Sequence, residues 1–190
     1  MVCFFNVQSR LKYAFGIAMA ALVALTITLA PDHPVLKKDK LNTHVMESNA
    51  LYFKNLRQFY YDISEDDRSG YYMYDHPDQK VFSELAPRLK IVDNWRQDQA
   101  YIIFENTDST NSAKMLEIYD GAESREFALQ DLNAMQSLNL GVSIFESVTN
   151  DSAIFTVKIG KENMPIWNTP DQRKVVKAIL KDYFKLVGAL

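Results

Sequence analysis

The stretch TPDQRKVVKAILKDYFKLVG, residues 169–188, carries the clearest folding signal in the chain. Thr169 is a good helix N-cap, Pro170 suits the first helical position, and Gln172 can complete a capping box. Gly188 suits a C-terminal stop. One apolar face follows at helical spacing and comprises Val175, Val176, Ile179, Leu180, Tyr183, Phe184 and Val187. The stretch predicts an amphipathic helix that packs on a core, with a lysine-rich outer face in water. A helix lying on anionic lipid is the alternative.

Strand signals precede this helix. Residues 142–148 and 153–159 flank a polar turn and predict a hairpin. Residues 71–74, 89–95 and 100–105 predict further strands. Residues 115–119 follow the polar turn 107–112, and we expect them to pair with 100–105 as a second hairpin.

Two more helices are predicted from apolar spacing. In residues 41–63 the recurring positions are Val45, Asn49, Tyr52, Leu56, Phe59 and Ile63. In residues 123–138 they are Phe127, Leu132, Met135 and Leu138. The first set predicts a helix that faces the core. Its spacing also matches a short heptad seam, so helix-mediated oligomerisation is the alternative.

These elements predict an α+β domain over residues 41–190, with three helices and a mainly antiparallel sheet of roughly five or six strands. From 41 to 160 the order can be read as two α-β-β units. That order is similar to the ferredoxin-like periplasmic domains of inner-membrane assembly proteins in pilus and type II secretion systems. The likeness lies in element order alone and has no sequence motif behind it.

The N-terminal part contains an apolar run, YAFGIAMAALVALTITLA, at residues 13–30. It has no charge and no proline, and it is long enough to cross most of a bilayer as a helix. We therefore expect a transmembrane signal-anchor at 13–30, a short tail at 1–12 and a linker at 31–40. Pro31 stands just after the best cleavage position, which favours an uncleaved anchor over a removed signal peptide. A buried helix of a soluble protein is the third interpretation.

The basic residues on the two sides of this run favour opposite orientations in the membrane. Arg10 and Lys12 lie directly before it, and Lys37 and Lys38, with Lys40, lie further out on the other side. The nearer, first flank favours a cytoplasmic N-terminus. We therefore expect a single-pass membrane protein whose C-terminal domain is periplasmic or otherwise exoplasmic.

The composition of the domain argues against several classes of function. From Leu41 onward the chain has 16 Lys or Arg against 22 Asp or Glu, a net charge of −6, which argues against a nucleic-acid partner. The domain has no cysteine, and the six glycines of the chain never cluster into a phosphate-binding loop. His76, between Asp75 and Asp78, lacks a second histidine at metal-binding spacing. No catalytic motif is found, so we expect no enzyme, no cofactor and no metal.

Aromatic residues concentrate between positions 52 and 74. Tyr52, Phe59, Tyr60, Tyr72 and Tyr74 are therefore the candidate surface for a partner or a ligand, and packing of the helix on the sheet is the plainer explanation.

The expected function is a non-enzymatic subunit or accessory factor of a membrane complex, bound to a membrane protein or to another copy of itself. An anchored small-ligand-binding or sensory domain is the first alternative. An anchored hydrolase without a recognisable motif is the second.

Overall fold

The computed structural model describes residues 35–66, 68–106, 114–149, 152–160 and 162–190. The chain divides after Val35, and Leu36–Leu190 form one compact unit, five residues longer than the predicted domain. Within these ranges no helix is both long enough and apolar enough to span a membrane. The predicted anchor 13–30, its flanks Arg10 and Lys12, and the turn 107–112 lie outside the described residues.

The described part of the chain forms an α+β fold with three α-helices and eight strands. The helices are α1 (Glu47–Tyr52), α2 (Ala134–Val148) and α3 (Pro170–Leu186). The strands are β1 (Asp62–Asp66), β2 (Tyr71–Asp75), β3 (Arg88–Asn94), β4 (Gln99–Glu105), β5 (Lys114–Tyr119), β6 (Ser124–Ala128), β7 (Ile154–Ile159) and β8 (Glu162–Ile166).

All strand pairs are antiparallel, as predicted, but they build two four-stranded sheets where one sheet of five or six strands was expected. The strand orders are β1-β2-β3-β4 and β6-β5-β7-β8. The predicted hairpin between 100–105 and 115–119 is wrong, because β4 pairs with β3 while β5 pairs with β6 and β7. In both strands, buried residues alternate with more exposed ones. This alternation identifies the face of each strand that lies in the core, but it does not identify the neighbouring strand.

The region between 123 and 148 was predicted incorrectly. Residues 124–128 form β6, and the helix begins at Ala134, after a capping box formed by Asn133 and Gln136. Residues 142–148 are the second half of α2 and not a strand. Leu140, Val142 and Ile144 are all buried, so the helix is covered on most sides and its apolar run resembles that of a buried strand. The hairpin partner of β7 is β8.

Helix α3 is confirmed from its N-cap to the glycine that follows its C-terminus. Thr169 and Gln172 form the capping box, and Gly188 has a φ of 73°. Phe184 is fully buried, and its ring lies 5.4 Å from that of Phe145 on α2. The lipid-bound alternative therefore fails, because the apolar face of α3 is inside the core.

Gly141 lies within α2. A Cβ at this position would lie 3.4 Å from Ile102 on β4 and 3.6 Å from Leu180 on α3. The missing side chain allows α2 to approach both neighbours closely.

The predicted helix 41–63 is much shorter. Helix α1 has six residues, a π-helical turn follows at Phe53–Arg57 and a 3-10 turn at Gln58–Tyr60, and the chain then enters β1. Val45 is buried but precedes the helix, and Ile63 lies on a strand. This break rules out a continuous heptad seam. The ferredoxin-like order of two α-β-β units is also wrong, because six strands lie between α1 and α2.

We expect Phe184→Ala to lower the free energy of unfolding by about 3–5 kcal/mol, because it leaves a cavity between α2 and α3. Lys174→Ala on the exposed side of α3 should change it by less than about 0.5 kcal/mol. Urea unfolding followed by circular dichroism measures both. Equal effects of the two substitutions would contradict the buried position of α3.

Candidate functional site

An exposed apolar surface runs along the segment from 46 to 63. We call it the apolar strip. It comprises Met46, Leu51, Tyr52, Leu56, Phe59, Tyr60 and Ile63, whose exposed fractions range from 38% to 76%. These are half of the fourteen large hydrophobic residues that are exposed in the described part of the chain, gathered within 18 positions. The other seven are spread from Val35 to Ile154.

The strip faces outward because the opposite side of the same segment is anchored in the core. Phe53 is 2% exposed, and its ring meets Tyr74 edge-on at 4.9 Å and Tyr61 at 5.8 Å. The inward face thus follows Phe53 and Arg57, whereas the predicted stripe followed Tyr52 and Leu56. The predicted core face was therefore displaced by one residue.

A buried ion pair fixes this orientation. Asp182 on α3 has a 4% exposed side chain and receives a two-pronged contact from Arg57, with both Nε–Oδ1 and NH2–Oδ2 at 2.8 Å. The Tyr61 hydroxyl donates to Oδ2 at 2.9 Å. A carboxylate at this depth requires such partners, because charge burial without compensation is costly.

The electrostatics agree with this pairing. The hydrogen bond to Asp182 raises the pKa of Arg57, so its guanidinium stays charged. Burial is the main cause that raises the pKa of Tyr61 far above its usual value, and the charge of Asp182 is the second. The hydroxyl therefore remains a donor. Arg57 also lies over the ring of Tyr60, with its guanidinium carbon 4.6 Å from the ring centre. The ion pair thereby supports a member of the strip directly.

His76 borders the same network. Its ring meets Tyr61 edge-on at 5.1 Å, and its Nδ1 accepts from the Asp78 amide at 3.3 Å. Burial lowers the pKa of this imidazole, outweighing the nearby Asp78 and Asp182. A cleft of about 180 Å3 lies beside it, and the described residues that line it include Asp62 and Asp75 but no serine. The arrangement offers no Ser–His pair for hydrolysis.

The sequence-predicted surface residues separate into two environments. Tyr52, Phe59 and Tyr60 lie on the apolar strip. Tyr74 is 1% exposed and belongs to the core, while Tyr72 is partly buried, with the Lys54 ammonium 5.6 Å from its ring centre.

The predicted anchor flank also lies partly in the compact unit. The Lys37 amide donates to the carbonyl of Ala189, and the Lys38 ammonium pairs with Glu146 at 2.9 Å on the surface. These contacts join the end of the predicted linker to the domain.

Sequence reasoning overlooked Arg57 and Asp182 as partners. They are 125 positions apart, and each resembles an ordinary surface charge in the sequence. One signal was available: Asp182 is an acid next to Tyr183, within the apolar stripe of α3. Among the residues that the structure describes, no cluster of three or more His, Cys, Asp or Glu side chains could hold a metal ion.

We expect Asp182→Ala to lower the free energy of unfolding by about 3–5 kcal/mol, because Arg57 and Tyr61 would lose their buried partner. The triple substitution Arg57→Met, Tyr61→Phe and Asp182→Leu should recover most of this loss, since no charge would remain uncompensated. Asp171→Ala, at the exposed start of α3, should cost less than about 1 kcal/mol. Urea unfolding measures these stabilities. Equal losses in the single and the triple variant would contradict the stabilising role of the Arg57–Asp182 pair.

The lowered pKa of His76 gives a pH dependence with a definite sign. Above the unfolded value of 6.5 both states carry a neutral imidazole, and below it the unfolded state is protonated first. Stability should therefore fall as the pH drops below 6.5, and His76→Asn, which preserves an N-cap, should reduce that loss. Thermal unfolding between about pH 7.5 and 5.5 compares the two proteins. Identical slopes would mean that burial of His76 has no such effect.

Comparison with known proteins finds no protein-family model, no curated protein and no solved structure that matches the chain.

Proposed function

We propose that this protein is a non-enzymatic subunit or accessory factor of a membrane protein complex, anchored by residues 13–30 and acting through its exoplasmic α+β domain. The apolar strip is its contact surface for a membrane-protein partner. The single observation that supports this proposal is the exposure of the strip. Phe59, at 76%, is the extreme case among its aromatic members.

The size of the strip supports a contact role. Seven large side chains at these exposures present on the order of 700 Å2 of mainly apolar surface along one 18-residue segment, and exposed apolar surface concentrated in this way is typical of interaction sites. A specific interface usually buries about 800 Å2 on each partner, so the strip would provide most of this protein's share.

The composition of the strip supports the same conclusion. Phe59 and Tyr60 offer rigid aromatic area, and Leu56 lies with them on the surface. Aromatic anchors of this kind provide most of the binding energy in protein interfaces. The strip is also held rigid from below by the Arg57–Asp182 pair, so that docking would cost little conformational entropy.

A hydrolase is the weaker alternative, because the described lining of the cleft beside His76 includes no serine. A ligand-binding or sensory role remains the second candidate function. The observation that favours this ligand-binding role is the face of the first sheet that points away from the core. The predicted residues Tyr52, Phe59 and Tyr60 do not lie on that face.

The test uses the full chain in its own membrane, with a photo-reactive amino acid placed at position 59 or, as the matched control, at the exposed Ile154 of β7. We expect position 59 to give a discrete cross-linked species of higher mass and position 154 to give none. Mass spectrometry identifies the partner, including the case of a second copy of this chain.

A second measurement is purification in mild detergent. Without cross-linking, Phe59→Ser should reduce co-purification of the partner that cross-linking identified at least ~10-fold. Ile154→Ser should leave this recovery unchanged. Recovery of a lone monomer, with no adduct at position 59, would overturn the proposal.

A further inference from the structure

A groove of about 370 Å3 lies on the first sheet, away from the apolar strip. Its floor is a cross-strand row in which Met73 on β2 pairs with Val92 on β3, and Val92 pairs with Tyr101 on β4. In the adjacent row, Tyr74 and Ile91 point to the opposite face and are 0–1% exposed. The sheet thus covers the core with one face and presents the groove on the other.

The walls of the groove come from three parts of the chain. Tyr71 and Ile103 extend the sheet surface, and Leu132 and Ala134 approach from the start of α2. Burial raises the pKa of Tyr101, whose hydroxyl donates to the Gln99 side chain. The lining is therefore predominantly aromatic and aliphatic, as is usual for small-molecule sites.

Polar groups line the groove at the β1–β2 turn. Asp66 accepts the Ser69 hydroxyl at 2.6 Å and the Arg68 amide at 3.1 Å. These hydrogen bonds, and to a smaller extent the positive charge of Arg96, lower the pKa of Asp66, so it remains a carboxylate. Among the described residues of the lining, Asp66 is the one that carries a formal charge.

We propose that this groove binds a small amphiphile with an aromatic or branched apolar body and a cationic, hydrogen-bond-donating head. The body packs on Met73, Val92 and Tyr101. The head lies at Asp66, whose carboxylate attracts an ammonium group and repels a carboxylate. None of the described residues that line this site belongs to the apolar strip.

The volume sets the size of the ligand. About 370 Å3 corresponds to the liquid volume of roughly a dozen water molecules, which suits a molecule of similar heavy-atom count. The volume is also within the range of about 300–1,000 Å3 that is common for ligand sites. 4-Phenylbutylamine fits these limits, and 4-phenylbutyrate, which has the same four-carbon chain length, is its counterpart of opposite charge.

The experiment uses the full chain in phosphatidylcholine nanodiscs, with carbon-13 in the methionine methyl groups. Met73 reports on the groove, Met46 on the apolar strip and Met164 on the second sheet. We expect 4-phenylbutylamine to shift the Met73 signal saturably and to leave Met46 and Met164 unmoved. 4-Phenylbutyrate should bind at least ~10-fold more weakly.

Three variants test the location of the site. Ala134→Trp fills the groove and should weaken amine binding at least ~10-fold, whereas Asn139→Trp, exposed on the same helix outside the groove, should not. Asp66→Asn should remove the preference for the amine over the carboxylate. Circular dichroism confirms that each variant is folded.

Several outcomes would overturn the proposal. These are an unmoved Met73, parallel shifts at Met73 and Met164, equal binding of amine and carboxylate, and full binding by the Ala134→Trp variant. Phe59→Ser separates the two proposals, because it should abolish the partner contact and leave amine binding intact. Loss of amine binding in Phe59→Ser would contradict the groove site, whereas an unchanged partner contact would contradict the proposed role of the strip.

Discussion

The buried carboxylate of Asp182 is the constraint on which the functional surface depends. A charge on the inner side of α3 needs compensation, and Arg57 and Tyr61 supply it through three hydrogen bonds of 2.8–2.9 Å. For Arg57 to reach Asp182, the segment after α1 must turn its Phe53–Arg57 side inward. Leu56 and Phe59 then face water. The exposure of the strip thus follows from satisfying one buried acid.

The π-helical turn is the local device that makes this geometry possible. The Gln58 amide bonds the Phe53 carbonyl five positions back, which widens the turn relative to an α-helix. Such turns are frequently found at functional sites. Here the turn ends the helix and directs the chain into β1, so the segment carries both a core anchor, Phe53, and an exposed aromatic, Phe59.

The two candidate surfaces differ in physical character. The apolar strip is exposed, rich in aromatic residues and suited to a macromolecular partner. The groove is concave, has a volume of about 370 Å3 and has one carboxylate, Asp66, in its described lining, which suits a small molecule. They draw on different elements, because the strip follows the segment 46–63 while the groove uses the open face of β2, β3 and β4. A change at one surface can therefore be made without removing the other.

By itself the sequence determined the elements whose signals are local. Capping residues and helical spacing predicted α3 from Thr169 to Gly188, and aromatic and β-branched residues indicated β2, β3 and β4. Tertiary structure alone decided which strands pair, that residues 142–148 complete α2, and that Phe53 rather than Tyr52 enters the core. The reason is physical: burial on several sides hides the apolar period, and a contact such as Arg57–Asp182 joins positions 125 residues apart.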